Sequence, residues 1–322
     1  MERRLETETT MKRYRIVIRP IMSFSSPLQS DTLFGAFCWS YRYSYGEEAL
    51  TEFLCNMKEK PSIIFSNAFP KGTFPLPLGI RDTLADFEMI ENKEERRKAY
   101  QNHKKIKSAK YVTKEWFEKI CRGDYEGFTK GLVDDGVQEA TIMHNMVSRD
   151  VGIVKKNKDD QSGNLYEEDE FFMEAGREYD VYMESSLEEE TLKQVIQLMF
   201  LLGIGKNKSI GKGAFELLEW HQEYIVVVEN ANAFVTLSNF VPAKNDPVNG
   251  QYKIITKYGK LDREYASSDT PFKKPILFLQ AGAVFRDEKI KEYYGRCVEN
   301  ISVMDGVVVN GYAMVIPMKI PL

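Results

Sequence analysis

Apolar residues recur at two different spacings along the chain, and together the spacings predict an α+β protein. Near the start, alternation predicts a strand that buries Tyr14, Ile16 and Ile18. Arg15 and Arg19 fall on the opposite face, which indicates either a sheet that is partly basic on one side or ordinary charge at a strand edge. Further strands are predicted at 62–66, 171–174, 179–183, 214–220, 224–228, 233–240, 252–257, 276–279 and 311–316.

Helical spacing predicts three helices. The first follows a cap at Ser30 or Asp31, and the second covers 47–58. The third follows the Ser-x-x-Glu capping box that begins at Ser186, and it stops at Gly203. With the strands around them, these helices predict one β-α-β-β-α-β unit with insertions.

The strand pattern restarts after Trp220, which predicts a second, smaller domain. We expect an N-terminal domain over 11–222, a C-terminal domain over 223–322 and a disordered polar extension over 1–10. A chain of 322 residues that is 43% hydrophobic is long enough for two packed cores. Met11 is an alternative start.

The most distinctive stretch is residues 203–213, where four glycines and three lysines crowd together. Glycine accepts positive φ, so such a run can turn successive N–H groups toward an anion, and lysines add mobile charge. The spacing fits neither a Walker A loop nor the dinucleotide fingerprint. A helix enters the loop and a strand leaves it, so the negative end of the helix dipole faces any phosphate. A plain glycine-rich turn with solvated lysines is the alternative interpretation.

The overall charge limits how the chain could contact nucleic acid, because 44 basic and 48 acidic residues give a net charge of −4. Any contact with nucleic acid must then use a local patch. The most basic stretch is 93–114, with nine lysines and arginines against two glutamates, or about +7. It is either a surface for an RNA backbone or a solvated helical insertion.

Metal, cofactor and membrane chemistry find no support in the sequence. Four cysteines and three histidines form no ligand pair, and no apolar run reaches the length of a membrane span. We expect no metal, no cofactor, no membrane contact and a cytoplasmic protein. One more structural feature is predicted, a long hairpin formed by the apolar segments on either side of the polar stretch 155–164.

Several of these segments resemble one family of CRISPR proteins. The loop pattern G-x-G-K-x-K-S-x-G-K-G-x-F at 203–215 is similar to the glycine-rich loop of the RAMP superfamily. Residues 30–39, 68–77, 233–242 and 282–285 resemble the crRNA 5′-tag-capping subunit of the type III-A (Csm) effector complex, the fourth Csm subunit family. Ala283 departs mildly from that pattern, since the family commonly has Ser there. His144, Asn145 and Arg149 resemble the segment that projects a thumb hairpin against crRNA.

The resemblance implies two ferredoxin-like (RRM-like) domains and a non-catalytic RNA-binding subunit. Its implied partners are the crRNA 5′ tag, the large polymerase-like Csm subunit and the adjacent backbone RAMP subunit. The implied RNA-binding residues are Gly203, Gly205, Lys206, Asn207, Lys208, Ser209, Gly211, Lys212, Gly213, His144, Asn145, Arg149, Ser25 and Ser30.

Three enzymatic alternatives remain open at this point. A crRNA-processing endoribonuclease of the same superfamily would need an acid–base pair, but no histidine lies between Leu28 and Lys60. A nucleotide-binding enzyme is disfavoured by the failed phosphate motifs. A metal-dependent backbone nuclease could use a single aspartate, and Asp31 and Asp150 lie in suitable segments.

Overall fold

The computed structural model describes residues 11–83, 92–134, 136–146, 164–173, 176–224 and 226–321, so the predicted extension over 1–10 lies outside it. The α-helices in these ranges are α1 (Ser30–Tyr45), α2 (Glu47–Glu59), α3 (Lys93–Ser108), α4 (Lys114–Cys121) and α5 (Glu189–Leu202). The strands in them are β1 (Lys12–Pro20), β2 (Ile63–Pro70), β3 (Thr73–Pro75), β4 (Tyr111–Thr113), β5 (Leu132–Val133), β6 (Val137–Met146), β7 (Asn164–Met173), β8 (Tyr179–Ser185), β9 (Phe215–Gln222), β10 (Ala233–Thr236), β11 (Gly250–Gln251), β12 (Ile254–Lys257), β13 (Ile276–Leu279), β14 (Val284–Arg286), β15 (Tyr293–Val298) and β16 (Val309–Met318).

A four-stranded antiparallel sheet in the order β2-β8-β1-β9 forms the first unit. In the chain its elements run β1-α1-β2-β8-α5-β9, which is the β-α-β-β-α-β order predicted from the sequence. Tyr14, Ile16 and Ile18 are fully buried in a core that also contains the apolar faces of α1 and α5. Each such side chain contributes roughly 1.5–3 kcal/mol through burial.

The helices lie where their spacing predicts, but their predicted caps are wrong. Gln29 precedes α1 and Glu188 precedes α5, and neither side chain makes a capping hydrogen bond. Ser30 is instead the first residue of α1, and its hydroxyl is bonded to the backbone of Asn239. Ser186 donates its backbone N–H to the carbonyl of Ser62, 3.0 Å away, and so belongs to the edge of the sheet. Tertiary partners have displaced both local caps.

The second unit is a five-stranded antiparallel sheet in the order β11-β14-β10-β16-β15. Among residues 226–321 the one helical element is a 3₁₀ turn at Arg263–Ser267, so this unit lacks the two helices of a ferredoxin-like domain. The strand predicted at 224–228 is absent from the described residues there, because the chain leaves the sheet and exposes Tyr224 and Val227. The strands predicted at 276–279 and 311–316 are confirmed.

The two units share one hydrophobic core. Val235 and Leu237 from β10 and the loop after it, and Tyr312 and Met314 from β16, join the cluster that fills the first unit. The Tyr312 hydroxyl also donates to the carbonyl of Met57 at the end of α2, 2.9 Å away. A smaller cluster lies on the other face of the second sheet. Both faces of that sheet are therefore apolar, and one of them is covered by the first unit.

The insertions of the first unit include a long hairpin and a basic helix. Strands β6 and β7 pair continuously from Val137 opposite Met173 to Met146 opposite Asn164, so the predicted hairpin is confirmed. Helix α3 begins after Asn92, whose side chain accepts hydrogen bonds from the N–H groups of Glu94 and Glu95. No described helix is long and apolar enough to cross a membrane.

Candidate nucleic-acid interface

The glycine-rich loop connects the end of α5 to the start of β9 and turns through a series of positive φ angles. The residues with positive φ are Gly203, Gly205, Asn207, Gly211 and Gly213. A residue with a Cβ adopts this region only at a cost, so the glycines allow a compact path that other residues resist.

Two of the glycines are also required by close packing. A Cβ at Gly213 would lie 2.1 Å from the carbonyl oxygen of Ile204, and one at Gly205 would lie 2.7 Å from the Cβ of Ser26. At Gly211 a Cβ would meet nothing within 4 Å. The loop therefore contains tightly packed glycines at its base and an open glycine at its tip.

Hydrogen bonds fix the loop to the segment that follows β1. The N–H of Gly213 donates to the carbonyl of Ser23 at 3.1 Å, and the N–H of Lys206 donates to the Ser26 hydroxyl at 3.2 Å. Inside the loop, the N–H of Ile204 donates to the carbonyl of Gly213 at 2.8 Å. Backbone N–H groups with acceptors in the protein are those of residues 203, 204, 206, 210, 211, 212 and 213. Most amides of the loop thus hold its shape, and its side chains are the better candidates for binding an anion.

The three loop lysines lie in different environments. Lys206 is exposed, and none of the described carboxylates pairs with it. Lys208 is largely covered and donates to the carboxylate of Asp262 in the second unit. Burial lowers the pKa of Lys208, and the Asp262 carboxylate opposes that shift. Lys212 is partly exposed and already has a contact within the protein. Lys206 is therefore the loop cation best placed for an external phosphate.

A second cross-unit ion pair lies near the first. Lys257 of β12 donates to Asp31 at the start of α1, and burial lowers the pKa of Lys257. Lys273 is within electrostatic reach of both Asp31 and Asp262, and burial also lowers its pKa. These contacts connect the loop, α1 and the second unit through charged side chains.

The two predicted serines are buried, and of the two Ser25 contacts the loop. The Ser25 hydroxyl is 3.5 Å from the side-chain amide nitrogen of Asn207, which donates to it. Ser30 is only 4% exposed and both donates to and accepts from the backbone of Asn239, at 3.1 Å in each case. Its own N–H donates to the side chain of Asn67. These contacts give Ser30 a structural role at the junction of the two units.

The hairpin is held beside the glycine-rich loop at its base. Phe24 and Phe171 exchange backbone hydrogen bonds, and their rings stack with centroids 5.6 Å apart. Phe24 also packs against Phe215, the first residue after the loop, with centroids 5.7 Å apart. His144 and Asn145 lie on β6 opposite Tyr166 and Leu165, and Arg149 lies outside the described residues. Ser209 lies in a 3₁₀ turn of the loop.

The arginines of the first sheet favour the second interpretation, ordinary strand charge, because acidic side chains neutralise them. The Nε of Arg13 donates to Glu184 at 2.8 Å, and Arg15 contacts Asp180 at 3.2 Å and Glu219 at 3.3 Å. The remaining pairs on this face are Arg15 with Glu223, Arg19 with Glu216, Lys71 with Glu178 and Glu219, and Lys114 with Glu223. The acidic partners come from β8, β9 and the loops beside them, far away in the sequence.

The solved structures identify the fold. No protein-family model matches the chain, and no curated protein matches it. The chain is similar to one in the crystal structure of a Csm1–Csm4 cassette in complex with cA4, with a TM-score of 0.63, 18% identity and coverage of 96% of this chain and 99% of that one. The chain is also similar to one in the crystal structure of the Csm3–Csm4 subcomplex of the type III-A CRISPR-Cas interference complex. That comparison has a TM-score of 0.63 and 15% identity, and it covers 95% of this chain and 99% of the other.

These neighbours place the chain in a fold class that the loop and the first sheet had indicated. The chain has an α+β fold that it shares with a chain of each of these Csm assemblies. More narrowly, the fold is that of Csm4, the component common to both assemblies. The α+β fold class that the sequence predicts is thus confirmed.

Proposed function

We propose that the chain is a non-catalytic, RNA-binding structural subunit of a type III-A CRISPR interference complex. In this role it holds the 5′ tag of a crRNA at the glycine-rich loop. The observation that carries the proposal is the similarity to Csm4 over nearly the full length of both chains. The loop described above supports it, since it presents an exposed lysine on a backbone that hydrogen bonds and close packing hold in place.

The proposed mechanism is positioning. Lys206 and Lys212 supply charge to tag phosphates, and the ion pair between Lys208 and Asp262 keeps the loop against the second unit. The hairpin of β6 and β7 starts beside the loop through the stack of Phe24 on Phe171. RNA can then follow the loop and the hairpin together, with His144, Asn145 and Arg149 as the proposed contacts of the hairpin. An already rigid site loses less conformational entropy when it binds.

The proposed partners follow from the neighbours. One assembly pairs Csm4 with Csm1 and another pairs it with Csm3. We propose that this chain likewise joins the large polymerase-like subunit to the first backbone RAMP subunit. In this proposal the first unit is the ferredoxin-like RAMP domain, and the second sheet adds surface for protein partners.

Absence of catalysis is part of the proposal. Among the described residues no three metal-ligating groups cluster. Asp31, the candidate for a metal-dependent nuclease, is engaged by Lys257, and Asp150 lies outside the described residues. His103 lies on α3, and His221 is near the end of β9, 3.1 Å from Glu219. We expect no bond cleavage at the loop, because an endoribonuclease needs a general base within reach of the 2′-hydroxyl.

Fluorescence anisotropy with a labelled tag RNA tests this proposal. The variant K206A/K212A removes two loop cations, and K244A/K253A removes two exposed lysines of the second unit as a matched control. We expect the loop variant to lower the slope of log affinity against log salt by about 1.4, at about 0.7 for each single-strand contact. The control should leave the slope unchanged.

The same samples, run on a denaturing gel after single-turnover incubation with and without divalent metal, should contain intact RNA. Equal slopes for the two double variants would overturn the loop as the tag site. Cleavage at one position, lost in His144→Ala, would favour the endoribonuclease instead.

A further inference from the structure

Helix α3 carries positive charge that no acidic residue in the described part of the chain neutralises. None of the described carboxylates pairs with its cations, which are Lys93, Arg96, Arg97, Lys98, Lys104, Lys105 and Lys107. All seven are exposed. The arginines of the first sheet behave in the opposite way, since each of them has an acidic partner. The charge of α3 is therefore available to a partner outside the chain.

The helix is attached by one side only. Ile106 is buried, Ala99 and His103 are half-buried, and the other positions with described burial are exposed. At about 100° per residue, these three anchoring residues lie on one face. The rest of the helix surface is open to solvent.

Five of the cations form a stripe along the helix. Because each residue advances by about 100°, the positions 93, 96, 97, 100, 104 and 107 fall within an arc of about 100°. We call these residues the α3 stripe: Lys93, Arg96, Arg97, Tyr100, Lys104 and Lys107. At about 1.5 Å per residue the stripe is roughly 20 Å long. Glu94, Glu95, Lys98 and Lys105 lie outside this arc.

An aromatic ring lies in the middle of the stripe. Tyr100 is 44% exposed, and the ammonium group of Lys104 lies 4.9 Å from the centre of its ring. Lines of cations follow a phosphate backbone, and exposed aromatic rings stack on bases without reading their sequence. The combination of both features is the chemistry that binds single-stranded nucleic acid.

We infer that the α3 stripe is a second nucleic-acid surface, which binds the phosphate backbone of single-stranded RNA without sequence preference and stacks a base on Tyr100. The inference rests on the proposed function only for the choice of RNA over DNA. An acidic protein surface is the competing occupant. It fits less well, because lysine is depleted at protein interfaces and five of the seven α3 cations are lysines with long, flexible stems.

The test uses the full chain and a labelled oligouridine of 20 nucleotides, which contains no tag. The variant K104Q/K107Q removes two lysines from the stripe, and K98Q/K105Q removes two exposed, unpaired lysines from another side of the same helix. The two variants have the same composition and net charge. We expect the stripe variant to lower the salt slope by about 1.4, and the control to change it by much less.

Tyr100 provides an independent readout. We expect Tyr100→Ala to weaken oligouridine binding by roughly 5-fold or more, from the 1–3 kcal/mol that a base stack is typically worth, and Tyr100→Phe to retain affinity. Equal losses in K104Q/K107Q and K98Q/K105Q would overturn the inference, since net charge alone would then explain binding. Tighter binding of oligothymidine than of oligouridine would overturn the choice of RNA. The oligouridine probe lacks a tag, and these variants leave the loop unchanged. A negative result for the α3 stripe would therefore not affect the outcome of the tag RNA experiment.

Discussion

Single glycines decide the shape of the loop, and two of them allow a direct comparison. Gly211 and Gly213 both have positive φ, but only Gly213 approaches backbone atoms too closely to admit a Cβ. Gly211→Ala should cost only the strain of a left-handed residue, about 1–2 kcal/mol. Gly213→Ala should cost more than that, because the carbonyl of Ile204 must also move.

Urea denaturation of the two alanine variants measures this difference. Tag RNA binding should fall in Gly213→Ala, where the loop is distorted, and stay near the parent value in Gly211→Ala. Equal unfolding free energies for both variants would mean that the loop is a flexible connector and that packing at its base has little influence.

At the scale of residues, the sequence predicts the loop residues and the buried positions better than it predicts which side chains pair with each other. The glycines and lysines of the loop stand out by density, and the alternation of Tyr14, Ile16 and Ile18 predicts their burial, which the structure confirms. The pairing of Arg15 with Asp180 and Glu219 is not predictable from local pattern, because the partners lie 165 and 204 residues away. The contact of Ser30 is not predictable for the same reason, because its hydroxyl group bonds to a residue of the second unit.

At the scale of elements, the contact between the hairpin and the loop is the feature most open to test. Phe171 stacks on Phe24, whereas the next residue, Phe172, lies on the other face of β7 and is exposed. Phe171→Ala should release the base of the hairpin, and aromatic pairs of this kind are worth about 0.5–1.5 kcal/mol beyond burial. Hydrogen exchange of the β6 and β7 amides should accelerate, while β1 and β8 stay protected.

Phe172→Ala is the matched control, because it removes the same side chain from the adjacent position. It should leave the exchange of the hairpin unchanged. If both variants, or neither, accelerate exchange in β6 and β7, the stack does not hold the hairpin in place.

The sequence predicts long helices and strands with a clear period well, but it does not predict the short ones. Helices α1, α2 and α5 follow from apolar spacing, and the hairpin follows from the apolar segments on either side of a polar stretch. Strands of two or three residues, such as β3, β5 and β11, are too short to show a period. The predicted helix caps are wrong where a serine bonds instead to a residue far away in the sequence, as Ser186 does to the carbonyl of Ser62.

At the scale of the whole molecule, the restart of the strand pattern predicts a second unit but not its architecture. The sheet of that unit completes the core of the first through β10 and β16, so its strands need no helices of their own on that face. A ferredoxin-like form was expected from resemblance, and the shared core explains why a sheet without α-helices in 226–321 is stable here.

The proposed role of this chain is to join a large subunit to the backbone of an RNA-guided complex. The most direct test mixes the chain with the Csm1 and Csm3 proteins of its own source organism, with a tag-bearing crRNA, and measures masses by light scattering after size exclusion. We predict a complex that contains both Csm1 and Csm3 when the chain is present, and separate Csm1 and Csm3 when it is omitted. Co-elution of Csm1 with Csm3 regardless of the chain, or a chain that binds neither, would contradict the account.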